Sequence, residues 1–398
     1  MARSRSRTVV LGAALGVSIC VVLWLILRGP AAPLSPVVGA EAFAVSQGGG
    51  RIACVSRDGA RFWLTITEPG AEVRVSELAL PLSRDYVGGW LALAHLVPAW
   101  SADGRLAWPH RRSGPQGQDW WVVRCGLPGE EARELKLAGL GGPDAMPAYC
   151  TWGPSPPTRL AFLVGPKEFA PSGWSLLVVE VPSGQELTRV PNVAFEEISW
   201  SPTGRRIAFF RVGPRAPRVS SADRELWVLD LTDGQQSRLA GQVQAPAAWS
   251  SDGAAIFVSG RVVRKHRAPG LARIPPGRWT VVVGRATFPQ AIRRVPLAGS
   301  PRVVTKPPSL ETGEGDAYPT LAQGGGALAF IRRGEAQDKV LVRVGGEVRC
   351  VAQTSRSLHH LQWDPKCKGL WCIAYQRRRG RHWTGLSDPE LCWVSVDS

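Results

Sequence analysis

Past residue 42 the chain alternates short apolar runs with clusters of Gly, Pro, Ser and Asp, a pattern that predicts β-strands joined by tight turns. Ile207-Ala208-Phe209-Phe210 is one such apolar run, and Trp227-Val228-Leu229-Asp230-Leu231 alternates with the period of a strand. The pattern also recurs. Trp100-Ser101-Ala102-Asp103-Gly104, Trp200-Ser201-Pro202-Thr203-Gly204 and Trp249-Ser250-Ser251-Asp252-Gly253 each precede a short apolar strand. Aligned on the residue before the turn, the copies are anchored at Val45, Trp100, Trp152, Trp200, Trp249, Leu321 and Trp363. Repeats of roughly 40–50 residues built only of strands predict a β-propeller.

Within one copy, a first strand ends at the anchor, and Ser/Asp side chains with a Gly close the turn. A second strand returns (Leu106-Ala107-Trp108, Leu160-Ala161-Phe162, Leu328-Ala329-Phe330). The third carries another tryptophan: Trp63, Trp121, Trp174, Trp227, Trp279 and Trp393, with Val340 in the sixth copy. A Gly turn such as Pro69-Gly70, Ser183-Gly184 or Asp233-Gly234 then leads to a fourth. The expected fold is all-β, four-stranded antiparallel blades, seven in number within a range of six to eight. Both tryptophan series are expected to hold one register each and to wedge between blades. The Val45 and Leu321 copies depart from the pattern, and the long interval between Trp249 and Leu321 predicts an inserted loop over Arg261–Pro276. The last copy ends after its third strand, Leu391–Val396, so residues about Leu34–Glu41, or the stretch just after, are expected to supply the missing fourth strand and close the ring.

The phrase W-S-x-D-G-x-x-[IL]-A-F resembles the TolB-like propeller repeat, which also occurs in the propellers of prolyl-oligopeptidase-type enzymes. The likeness covers about residues 43–398 and is specific for the repeat rather than for one family member. It implies a cell-envelope propeller whose commonest use is protein binding. The α/β domain that precedes the propeller in the Tol protein, and the hydrolase domain of the peptidases, have no counterpart in this sequence.

The N-terminus divides into a basic tail (1–7, with Arg3, Arg5 and Arg7), an uncharged apolar run (8–28, closed by Arg28) and a Pro/Ala/Gly-rich tether (29–41), ahead of the propeller (42–398). Twenty residues at ~1.5 Å each span ~30 Å, the thickness of a bilayer core. The run exceeds the apolar core of a cleavable signal peptide. It is therefore read as a retained single-pass anchor, N-in and C-out by the arginine bias, with the propeller outside the cytoplasm.

Net charge is +16 and pI about 10.2. The excess gathers in second-to-third-strand connections: Arg111, Arg112, Arg211, Arg215, Arg218, Arg264, Lys265, Arg267, Arg332, Arg333, Arg377, Arg378, Arg379 and Arg381. In an up-and-down blade these all emerge on one face, opposite the turns that hold Asp103, Asp252 and Asp233. One account is arginine supplied by a GC-rich genome and simply solvated. The other is a basic face for an anionic partner, because the planar guanidinium suits phosphate and carboxylate. Nucleic acid is excluded by the extracytoplasmic address.

Of eight cysteines, Cys20 lies in the apolar run. Cys54 and Cys372 share the register of Phe209 and are expected as packing residues rather than a bridge. No catalytic elbow, zinc-binding or phosphate-loop motif occurs, and no cofactor or metal is expected. The best polar cluster is His359-His360 near Asp364, and Glu196 and Glu197 would have to converge on it at the channel mouth. The sequence thus favours a non-enzymatic, membrane-tethered scaffold for a protein or an anionic envelope polymer or lipid headgroup. The alternative is a carbohydrate- or peptide-processing enzyme with its site in the channel mouth.

Overall fold

Seven repeats in sequence become seven antiparallel units in the computed structural model. It describes residues 39–58, 61–68, 71–78, 97–113, 119–135, 145–154, 158–166, 173–213, 224–261, 290–305, 315–334, 336–379 and 384–396. Unit one comprises strands Ala40–Val45, Ile52–Asp58, Arg61–Glu68 and Ala71–Leu78. Unit two comprises Ala99–Trp100, Leu106–Ser113, Asp119–Gly126 and Arg133–Leu135. Unit three comprises Ala145–Trp152, Arg159–Pro166, Trp174–Glu180 and Glu186–Val193. Units four and five share the strand Gln236–Trp249, which is the last of one and the first of the next, so their strands form one seven-stranded sheet. Unit four begins with Ser199–Trp200, Arg206–Val212 and Arg224–Asp230; unit five continues with Ala255–Arg261, Gln290–Pro296 and Arg302–Val303. Unit six is Gly315–Leu321, Ala327–Arg333, Asp338–Val344 and Glu347–Thr354, and unit seven is Ser357–Trp363, Gly369–Arg379 and Thr384–Ser395.

The anchors hold the units together by one repeated contact. Each indole N–H donates to the carbonyl just before the anchor of the preceding unit: Trp100 to Ala44 O (3.1 Å), Trp152 to Ala99 O (3.0 Å), Trp200 to Thr151 O (3.1 Å), Trp249 to Ser199 O (3.1 Å) and Trp363 to Thr320 O (3.2 Å). A buried Trp needs a partner for that N–H, and the inner strand's unpaired carbonyl supplies it. Between units seven and one, the Val45 amide donates to Gln362 Oε1 at 3.4 Å. The Gly39 amide donates to Pro389 O in the last strand at 2.8 Å, which ties the two ends of the described chain together. Residues 34–38 lie outside the described residues, and Ala40–Val45 pairs within unit one instead, overlapping the end of the expected tether.

The turns follow the sequence phrase closely. Ser101, Ser201 and Ser250 accept the amide of Arg105, Arg206 and Ala255, at or one residue before the start of the second strand, and Gly104, Gly204 and Gly253 take positive φ. In unit seven Cys367 occupies that glycine's place, with φ 56° and its amide on Asp364 O.

Two expectations are corrected. The second tryptophan series does not share one register: Trp227 faces Phe209, Trp63 faces Ser56, and Trp393 faces Trp371, while Trp174 lies near the other end of its strand beside Gly165. The strands differ in length, and bulges shift their phase. In unit five the third strand is Gln290–Pro296, where Arg293 pairs with Val258, so the insertion runs past Trp279, which lies outside the described residues. Cys54 and Cys372 are fully buried packing residues, and all seven described cysteines are unbridged. The run 8–28 lies outside the described residues, and among the described residues no helix is long and apolar enough to cross a membrane.

Candidate functional site

The inner strands converge on one cavity of ≈ 410 Å³ to which every unit contributes: Phe43, Val97, Tyr149, Glu197, Pro246, Tyr318 and His360. Six of these seven stand three residues before their anchors, at one repeat position. The backbone explains how they come to point there. Units three, five, six and seven break register at this position, between Ala148 and Thr151, Gln244 and Ala247, Ala317 and Thr320, and His359 and Gln362. A bulge inserts one residue and re-aims its side chain. Tyr149, Tyr318 and His360 all sit at φ 52°, in the left-handed region that costs a non-glycine residue about 1–2 kcal/mol. Strain at the same repeat position three times over marks the cavity as the place where the fold departs from its own ideal.

The side chains form two linked clusters. Across the cavity, His360 Nδ1 of unit seven meets Glu197 Oε1 of unit four at 3.3 Å. Beside it, Arg224, buried to 5% exposure, donates through Nε to Glu196 at 2.9 Å. Burial raises the Glu196 carboxyl above its usual range, with Arg224 opposing and Glu197 adding to the rise. Burial also lifts the Tyr149 hydroxyl well above its ordinary value, and the Glu196 and Glu197 carboxylates push it further.

The second cluster centres on His359. Its Nδ1 lies 3.1 Å from both the Tyr318 hydroxyl and Arg333, and its Nε2 lies 3.2 Å from the Ser357 hydroxyl. Arg333 Nη2 lies within reach of both ring nitrogens, 3.1 Å from Nδ1 and 3.3 Å from Nε2, and can only donate to whichever of them carries no proton. Burial, then Arg333, His360 and Arg377, push this imidazole down to about 2, which keeps it neutral. Burial raises the Tyr318 hydroxyl as well, with Arg333 opposing. Cys150 lines the cavity, but burial raises its thiol and removes it as a thiolate nucleophile. Among the described residues no group of three or more His, Cys, Asp or Glu side chains is placed to hold a metal ion.

Glu196, Glu197, His359 and His360 are therefore brought together, whereas Asp364 sits in the unit-seven turn, where it accepts the Lys366 amide. Tyr149 and Tyr318 went unnoticed in the sequence. The signal was present: aligning the copies three residues before each anchor puts Tyr, Glu, Tyr and His where the other copies have Ala, Val and Pro.

The arginines of the expected basic face are more dispersed in role. Arg112 pairs with Glu134 at 2.6 Å, Arg332 with the fully buried Asp316 at 2.7 Å, and Arg377 with the fully buried Asp338. Arg333 serves His359 and Tyr318, and Arg211 stacks 4.5 Å over the Trp227 ring while reaching Gln236. Arg111, Arg378 and Arg379 lie on described strands, but their side chains are outside the description, as are Arg215, Arg218, Arg264, Lys265, Arg267 and Arg381 entirely. The cavity lining includes Gln47, Trp100 and Trp152 at the turn ends of the inner strands, and of these arginines Arg333 reaches it, through Tyr318.

No family model matches the chain, and no curated protein matches its sequence. Solved structures do. The β-propeller domain of the Trilobed protease from Pyrococcus furiosus, described as having an open velcro topology, aligns over 90% of this chain and 93% of that one, with 11% identity and a TM-score of 0.56. Acylaminoacyl peptidase from Pyrococcus horikoshii aligns over 87% of this chain and 49% of its own, with 12% identity and a TM-score of 0.55. The chain thus spans about half the length of that peptidase. The Cps50 (Swd1) β-propeller domain of Myceliophteria thermophila aligns over 92% and 99%, with 11% identity and a TM-score of 0.53. At these identities the likeness shows the fold alone: this chain is a β-propeller.

Proposed function

We propose that this chain is a closed, seven-bladed, TolB-like propeller held to a membrane by residues 8–28, with the propeller outside the cytoplasm, and that it acts as a binding module through its axial cavity. The single observation that carries this reading is the convergence of Tyr149, Glu197, Tyr318 and His360, from four different units, on one cavity. At ≈ 410 Å³ it falls within the size range of small-ligand pockets. Closure of the ring is supported by the Val45–Gln362 and Gly39–Pro389 contacts. The partner is a protein or an envelope polymer that presents a small group to the cavity. An anionic polymer or lipid headgroup would engage the opposite, arginine-bearing face. No nucleic acid is involved.

A second reading, an enzyme that processes carbohydrate or peptide at the channel mouth, is favoured by one observation, the Glu197–His360 pair beside a raised Glu196. The test is site-specific photo-crosslinking in intact membranes. A photoreactive residue at Gln47, on the cavity lining, is expected to capture an envelope partner, and the same residue at Val348, on the outer strand of unit six, is not. Equal capture at both positions, or none at Gln47, overturns the cavity as the recognition site.

A further inference from the structure

We infer that the axial cavity takes a neutral, hydroxyl-rich ligand on the scale of one or two hexose rings, a deepening that rests on the cavity being the recognition site. The chemistry of the lining selects that class. Among the described residues Glu197 is the only carboxylate on the lining and no Lys or Arg lines it, and His360 from the opposite strand already faces that carboxylate at 3.3 Å. The neighbouring carboxylate in the chain, Glu196, is matched by Arg224. An anionic ligand would face the Glu197 carboxylate, a cationic one would have to displace its contact with His360, and either would lose its hydration on entry.

A hydroxyl-rich ligand meets the reverse situation. Each hydroxyl both donates and accepts, and the lining alternates the two roles: the Glu197 carboxylate accepts, while Gln47, Gln362 and Thr151 do both. Rings of Phe43, Trp100, Tyr149 and Trp152 supply apolar surface for the C–H faces that a sugar ring presents between its hydroxyls. The ligand is held by the bulges, because these aim Tyr149 and His360 inward from strands that would otherwise turn them away. Pre-set strain of this kind fixes the polar groups before the ligand arrives, and so lowers the ordering cost of binding.

The experiment uses the full chain in lipid nanodiscs, free of sugar-based detergent, and saturation-transfer NMR with calorimetry. The probes are glucose, galactose and N-acetylglucosamine, with glucuronate and glucosamine as anionic and cationic counterparts of the same ring. At least one neutral hexose is expected to bind, with either charged counterpart at least about tenfold weaker. Glu197→Gln should weaken the neutral sugar about tenfold or more, as loss of a charged hydrogen-bond acceptor does. Tyr149→Phe, which keeps the ring and removes only the hydroxyl, should weaken it by a smaller factor. Both variants are checked for an unchanged unfolding midpoint, so that Tyr149→Phe carries the test if Glu197→Gln fails to fold. Absence of binding by every neutral sugar, tighter binding of a charged one, or binding indifferent to both variants overturns the inference. Crosslinking at Gln47 separates the two levels: capture there without sugar binding sinks the ligand class alone, and loss of both sinks the site.

Discussion

Five of the junctions between units are closed by an indole, and two are not. Where the anchor is Trp, one side chain fills the gap between neighbouring sheets and also satisfies the inner-strand carbonyl beside it, as Trp152 does for Ala99. Where the anchor is Leu321 or Val45, those two tasks are split. At the Leu321 junction the Ser259 hydroxyl donates instead to Asp316 O at 2.7 Å, and at Val45 the Gln362 side chain accepts the anchor's own amide. The difference teaches that the degenerate repeats are not failed copies. They place the polar contact on another residue, and so free the inner strand of an obligatory Trp.

That contrast can be broken most forcefully at Trp152. Trp152→Ala should cost about 3–5 kcal/mol by emptying a buried junction, and Trp152→Phe about 1–3 kcal/mol by stranding the Ala99 carbonyl. At the indole-free junction Ser259→Ala should cost only about 1 kcal/mol, because less apolar surface is lost. Guanidinium unfolding midpoints measure all three, and equal losses at the two junctions would refute the division of labour.

The junction between units six and seven adds a pH test. Unfolded His359 takes up a proton near 6.5, whereas in the fold it stays neutral down to about 2 beside Tyr318 and Arg333. The unfolded chain therefore binds more protons across that window, and stability should fall as pH drops below about 6.5, by at most about 1.4 kcal/mol per unit from this group. His110, pushed down to about 4 by burial, acts with the same sign. His359→Gln should flatten part of the slope between pH 7 and 5 in denaturant titrations, and an unchanged slope would remove His359 from the account.

The smallest effect is a gain. Cys367 stands at φ 56° where five of the other six copies use glycine, so Cys367→Gly should stabilise by about 1 kcal/mol or less, read as a higher thermal midpoint. A loss would mean that the cysteine's packing among Val394 and its neighbours outweighs its backbone strain.

Much of the fold was legible because its signals are local. The W-S-x-D-G phrase specifies a turn by its own hydrogen bonds, and each anchor it marks was found at the end of an inner strand. Trp279 misled because a strand is defined by which residues pair across the sheet, and in unit five the partner of Ala255–Arg261 is Gln290–Pro296. The basic face could be read only as a tally of charge. Partners for Arg332, Arg333 and Arg377 come from Asp316, His359 and Asp338, which no spacing rule assigns to them.

By itself the sequence determined the strand-only repeat, its seven copies and the residue that ends each inner strand, since a turn and a period of two are fixed by neighbours along the chain. Only the tertiary structure decided that Tyr149, Glu197, Tyr318 and His360 share one cavity and that His360 faces Glu197. These residues lie far apart along the chain but at one repeat position, and bulges turn Tyr149, Tyr318 and His360 inward by breaking the very alternation from which a side chain's direction is read.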